Sequence, residues 1–212
     1  MSNIDIILIV IVSLYTLMIT FKIMSLKKVN NNYEILQKHQ PSKNDIIDIV
    51  NQKSPSVITG EVDNWFIFDE NDKIVEDKLN HKTLSENTNN LCYVMPIVKK
   101  FNISNLPQDK NTPVIKETNT KHFLVLLEGE LSIYLFNPIQ EQEVKNNNTI
   151  YGEGNNKKLK YMEIKLYSEQ VLHIPYLWHY SYQCLTTCKV LDVNSETLLT
   201  LPYTIVCNLG KK

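Results

Sequence analysis

The sequence predicts a mainly β domain with a few short helices, preceded by one N-terminal transmembrane helix. Three observations predict it: an uncharged apolar run near the N-terminus, a succession of short strand-like runs from Ser56 onward, and polar turn-forming residues between those runs. Residues 1–28 read as a membrane anchor, 29–40 as a juxtamembrane linker and 41–212 as one domain.

The segment from Ile6 to Phe21, IILIVIVSLYTLMITF, carries no charge, and Asp5 and Lys22 are the first charges on either side of it. Extended over Ile4 and Ile23, at about 1.5 Å of rise per residue, it reaches roughly 27 Å, close to the thinner bilayers of the early secretory pathway. The core helix of a globular protein normally shows a polar stripe, and this run offers only Ser13, Tyr15, Thr16 and Thr20. No Lys or Arg precedes it and no small-residue cleavage site follows, so it reads as an uncleaved anchor. Lys22, Lys27 and Lys28 lie on its C-terminal side and Asp5 on the other, which by the positive-inside rule places the domain in the cytosol as part of a single-pass membrane protein. The glycosylation sequons at Asn102 and Asn147 would then be out of reach of the glycosylation machinery. Cys92, Cys184, Cys188 and Cys207 have the spacing neither of a dense disulfide framework nor of zinc knuckles, and read as reduced, mostly buried thiols.

All 22 basic residues are lysine, and the chain contains no arginine and no alanine. The preference for Asn, Ile and Lys resembles the codon bias of an A+T-rich genome, such as that of a large DNA virus. Without a guanidinium fork the chain makes no bidentate contact to carboxylates, phosphates or guanine edges. A net charge of -1 and a pI near 6.5 leave no basic footprint, so nucleic acid is not an expected partner. The expected partners are the lipid bilayer, through the N-terminal helix, and a protein.

Behind a polar, Asn-rich stretch from Lys27 to Tyr33, Ser42 is placed to cap a helix through Ile46, Ile47, Ile49 and Val50, with Asp45 completing a capping box and Pro55 ending it. Strands are expected at Ser56–Thr59, Trp65–Phe68, Leu91–Ile97, Phe123–Phe136, Tyr161–Tyr167, Val171–Ile174, Cys188–Val193 and Tyr203–Cys207, with no comparable helical pattern in the second half. Glu128-Gly129-Glu130 interrupts the longest run and suggests a hairpin joining FLVLL to LSIYLF. Lys145 to Lys160 reads as a polar loop between strands, and Tyr176, Trp178, Tyr180 and Tyr182 form an alternating aromatic ladder suited to barrel packing. Leu124, Leu126, Ile133, Leu135, Leu172 and Ile174 are expected in the core.

Three stretches together resemble the cupin-like domains related to the JmjC hydroxylases, which are Fe(II) and 2-oxoglutarate enzymes. SPSVITG at Ser54–Gly60, with Trp65 after it, is similar to their opening segment. FLVLLEGELSIYLFNP at Phe123–Pro138 is similar to the central strand pair that turns at a glycine. LYSEQVLHIPYLWHYSY at Leu166–Tyr182 is similar to the closing segment. The resemblance implies a double-stranded β-helix, or jelly roll, from roughly Pro41 to Leu209. It also implies where iron would sit, held by two histidines and a carboxylate. Counted from Gly129 and Trp178, those three positions fall on Lys116, Thr118 and Tyr180. The lysine that would pair with 2-oxoglutarate falls on Leu131. Glu117 lies one residue out of register, which on a strand points it to the opposite face, and His179 is displaced in the same way.

The resemblance with these departures implies a membrane-anchored, catalytically inactive module, its family metal positions replaced, that acts as a binding or scaffold domain with no cofactor and no catalytic residue. The alternatives are a hydroxylase with an atypical site, or another metal-dependent cupin using His122, His173 and His179, with Glu117 or Glu128. Those histidines also read simply as structural: His122 opening a strand, His173 and His179 sharing a strand face.

Overall fold

The computed structural model describes residues 3–28, 30, 32–62, 81–92, 96–146 and 159–209. The elements run α1 (Asn3–Lys27), β1 (Leu36–His39), α2 (Lys43–Gln52), β2 (Ser56–Thr59), α3 (His81–Asn87), β3 (Val98–Leu106), β4 (Ile115–Lys116), β5 (Lys121–Glu128) and β6 (Glu130–Phe136). A 3-10 turn at Pro138–Gln140 leads to α4 (Glu141–Asn146), β7 (Tyr161–Tyr167), β8 (Val171–Ile174), β9 (His179–Cys184), β10 (Cys188–Glu196) and α5 (Leu201–Leu209).

α1 is long and apolar enough to cross a membrane, with a mean hydropathy of 2.5 in its most apolar window and no residue buried against the rest of the chain. Its Thr16 and Thr20 hydroxyls donate to carbonyls one turn back, at Val12 and Thr16, so they leave no unmet donor on an apolar surface. α2 starts as its sequence dictates: Asp45 N–H donates to Ser42 Oγ at 3.2 Å and the Asp45 carboxylate accepts from Ser42 N–H at 2.9 Å. It ends at Lys53, in the left-handed region at φ 55. The last third of the segment expected as linker is a strand, since β1 lies parallel to β2.

The strands form a six-stranded sheet, β1-β2-β8-β5-β10-β3, and a four-stranded sheet, β4-β9-β6-β7. From β3 onward the chain crosses between them at every connection except the one joining β6 and β7, and β3 to β10 reproduce the strand order of an eight-stranded jelly roll, with β1 and β2 added at one edge. The domain is therefore a cupin-like double-stranded β-helix with a few short helices. Leu124, Leu126, Leu172 and Ile174 of the larger sheet meet Leu131, Ile133, Leu135 and Leu166 of the smaller one, and all eight are fully buried. Since side chains alternate along a strand, Phe123, Val125, Val171 and Leu191 face the other way, into a second core under Ile46 and Ile49 of α2 and Leu84 of α3.

Several local expectations are corrected. β5 and β6 are not a hairpin: β5 pairs with β8 and β10, whereas β6 pairs with β7 and β9, so Gly129 is the corner at which the chain changes sheets. Of the run expected at Leu91–Ile97, Leu91 and Cys92 lie in a turn and 93–95 lie outside the described residues, and the next strand begins at Val98. Tyr203–Cys207 is helical within α5, and α4 is a further helix in the second half. Trp65 and the Trp65–Phe68 strand, with 147–158 of the polar loop, lie outside the described residues.

Gly129 has φ +93, and a Cβ there would stand 2.4 Å from the Thr187 carbonyl oxygen and 2.9 Å from Cys188 Sγ. The obstacle is backbone, so it cannot swing aside. Gly129→Ala is expected to lower stability by about 2 kcal/mol or more, read as a lower urea midpoint at unchanged slope. An unchanged midpoint would show that the corner yields.

Candidate functional site

The candidate site is at one mouth of the barrel, where β4 ends and β9 and β10 pass opposite β5. β4 is only two residues long, and the chain after it is held to the start of β9: Glu117 N–H donates to Trp178 O at 2.8 Å and Leu177 N–H donates to Glu117 O at 3.0 Å. β4 sets Ile115 opposite Tyr180 and Lys116 opposite His179, so by alternation Lys116 faces out and Glu117 turns to the same side as Tyr180. Its carboxylate turns inward, where it is 3% exposed, and the expectation that it faces away is overturned.

What it meets is His122. This imidazole shares its strand face with Leu124 and Leu126, so β5 points it into the barrel. The Glu117 carboxylate lies against Nδ1, and Asp192 Oδ1 lies 3.1 Å from Nε2. Asp192 arrives by register, because β10 pairs antiparallel with β5 and sets Asn194 opposite His122 and Asp192 opposite Leu124. The backbone and side-chain N–H groups of Asn119 donate to Glu117 Oε1 at 2.6 and 2.8 Å, occupying lone pairs that burial would otherwise leave unmet. The Tyr180 ring stands 5.6 Å from His122.

The electrostatics follow from this packing. Burial alone would depress the His122 pKa, but the Glu117 carboxylate and then Asp192 overcome it and hold it up at about 10. Burial would raise Glu117; the His122 charge and the Asn119 hydrogen bonds win and lower it. Burial, with Glu117 and Asp192, pushes the Tyr180 phenol above its ordinary value, so it stays a neutral hydroxyl. At neutral pH the mouth holds an imidazolium between two carboxylates. Outside this group lies a pocket of 260 Å³, lined also by Asn102, Lys116, Thr118, Asn119 and Asn194.

The other singled-out residues are dispersed. Lys116 is opposite His179 in the sheet, on the face turned away from Tyr180, and its ammonium reaches Glu141 Oε1 at 2.7 Å. Thr118 is buried beside Glu117, and Leu131 is in the apolar core. His173 is on the outer face of the six-stranded sheet against Phe123, ring to ring at 5.2 Å, and burial lowers its pKa to about 4. His179 lies opposite Phe136 on the outer face of the four-stranded sheet. His122, His173 and His179 thus occupy three different surfaces; the structure does not bring them together, and His173 and His179 do not share a face. Glu128 is at the far end of β5 from His122.

The iron implied by the resemblance does not fit these side chains. A histidine ligand offers a ring lone pair, whereas both His122 nitrogens are directed at carboxylates. Among the described residues no three His, Cys, Asp or Glu side chains are arranged to hold a metal ion. Sequence reading missed Asp192, Asn119 and Asn194. An acidic residue with the parity of Val190 inside an apolar strand was the available signal, since a charge there needs a buried partner.

No family model matches the sequence, and no curated protein matches it. Solved structures similar to it include the cupin domain of Drosophila melanogaster CENP-C, at 13% identity and a TM-score of 0.32, with 45% of this chain and 59% of that one covered. A cupin superfamily protein from Desulfitobacterium hafniense DCB-2 is similar at 12% identity and a TM-score of 0.33, covering 49% of this chain and 72% of that one. The chain thus spans less than two thirds of the length of the first of these. The strand order above carries the fold assignment.

Proposed function

We propose that this chain is a membrane-anchored cupin-like protein without oxygenase chemistry, whose barrel is a binding or scaffold module on the cytosolic side. The observation that carries this reading is the commitment of both His122 nitrogens to Glu117 and Asp192. In a metal-dependent relative the mouth of the barrel would offer lone pairs to an ion; here it is closed by a salt-bridged group in which both ring nitrogens are taken. One imidazolium between two carboxylates leaves a net charge near -1, which disfavours a dicarboxylate such as 2-oxoglutarate. Lys116, the cation nearest by, is already paired with Glu141. The pocket instead presents amides and hydroxyls beside a negative charge, which suits a donor-rich side chain of a protein partner.

The test is direct. Full-length protein purified in detergent, incubated with Fe(II), ascorbate and 2-oxoglutarate, should retain no stoichiometric iron after desalting and produce no succinate above buffer. Chelator-sensitive succinate formation would overturn the proposal and favour the hydroxylase.

A further inference from the structure

The stretch after β10 has no part in the barrel mouth. From Thr197 to Gly210 it carries no charged residue, and Lys211 and Lys212 follow. α5 holds to the barrel by one side, where Thr204 is buried and the Tyr203 ring meets Tyr176 edge-on at 5.9 Å. Leu198, just before α5, and Ile205 and Val206 on it are 55%, 50% and 66% exposed, large apolar side chains that the rest of the chain leaves uncovered.

Its place beside α1 says what covers it. The Tyr15 hydroxyl, midway along α1, donates to the Leu198 carbonyl at 2.9 Å. Thr197, Leu199 and Thr200 line a cavity of 540 Å³ together with Lys22, Lys53 and Lys121. The segment therefore lies alongside α1 and not beyond its end. Tyr15 precedes Lys22, the first charge that follows it in the helix, by seven positions, or about 10 Å along the axis. With Lys22 at the phosphates, Leu198 falls at the boundary of headgroups and acyl chains, within the ~5–10 Å over which interfacial helices bury their apolar faces. The cavity lysines stand where anionic headgroups would meet them.

We infer that Leu198 and α5, through Ile205 and Val206, insert into the leaflet beside α1 and make a second, shallow membrane contact. The inference rests on α1 spanning the bilayer. Three single variants of the full chain test it, each reconstituted into vesicles of phosphatidylcholine and phosphatidylserine with or without acyl-brominated phosphatidylcholine: Leu14→Trp in α1, Val206→Trp in α5, and Lys165→Trp on the outer surface of β7. All three positions are exposed, so the new indole displaces no core, and the native tryptophans are a common background. Brominated lipid should remove most of the added emission of Leu14→Trp and Val206→Trp and leave that of Lys165→Trp unchanged. Quenching of Leu14→Trp without Val206→Trp overturns this inference and leaves the span standing. An unquenched Leu14→Trp overturns the spanning reading and this inference with it.

Discussion

Glu117→Ala should cost about 3–5 kcal/mol of stability, because it leaves the buried His122 imidazolium with half of its compensation and strips Asn119 of its acceptor. In a chain of this size that corresponds to a fall in Tm of roughly 10 °C. Thermal melts across pH separate the charge from the packing. His122 has a folded pKa of about 10 against an ordinary 6.5. Its contribution is therefore complete below the ordinary value and is lost as pH rises through 10. Glu117 is lowered from 4.5, so its contribution is present above that value and is lost as pH falls below it. Wild type should be flat between about 4.5 and 6.5, weaken steadily above that as pH rises to about 10, and weaken below 4.5. Glu117→Gln keeps the shape but drops the charge that raises His122, so its alkaline decline should be smaller and end nearer neutrality. A Glu117→Ala protein that melts with wild type would remove the ion group from any account of the mouth.

Deleting residues 1–28 is expected to change the protein from carbonate-resistant and membrane-bound to carbonate-extractable. Nothing after Lys28 approaches the length of a bilayer span, and a shallow contact through α5 is of the kind that alkaline carbonate releases. Fractionation of cells expressing both forms reads the result. Continued carbonate resistance of the truncated form would mean that the anchor is elsewhere.

The barrel was legible in the sequence where burial set the pattern. Ser56–Thr59, Tyr161–Tyr167 and Val171–Ile174 match β2, β7 and β8 residue for residue, and all six residues expected in the core are there. The Gly129 corner shows why pairing was not equally legible. Two apolar runs around a glycine look the same whether the strands pair or cross to the facing sheet. Their inward residues reach one core in either case, so the burial pattern survives while the pairing does not. Tyr-Thr-Ile-Val-Cys has the composition of a strand, yet Pro202 stands in the first turn of a helix and packing against Tyr176 decides the matter. The site was hidden for a similar reason. Its two carboxylates are brought to His122 by the short reach of β4 and by the register of β10, which are long-range properties.

β1 bears on where the domain can act. Since α1 ends at Lys27 and β1 begins at Leu36, only the eight residues 28–35 lie between helix and sheet. Fully extended they reach roughly 30 Å. Asn30 shortens this further, donating to Gln52 O at 3.0 Å and Ser54 Oγ at 2.8 Å. With α1 in a bilayer, as proposed, a leash that short would confine the barrel to a layer about one domain thick beside the membrane. Its encounters would then be a search in two dimensions, and a partner itself bound to that membrane would meet it at a far higher local concentration than one diffusing freely through the cell.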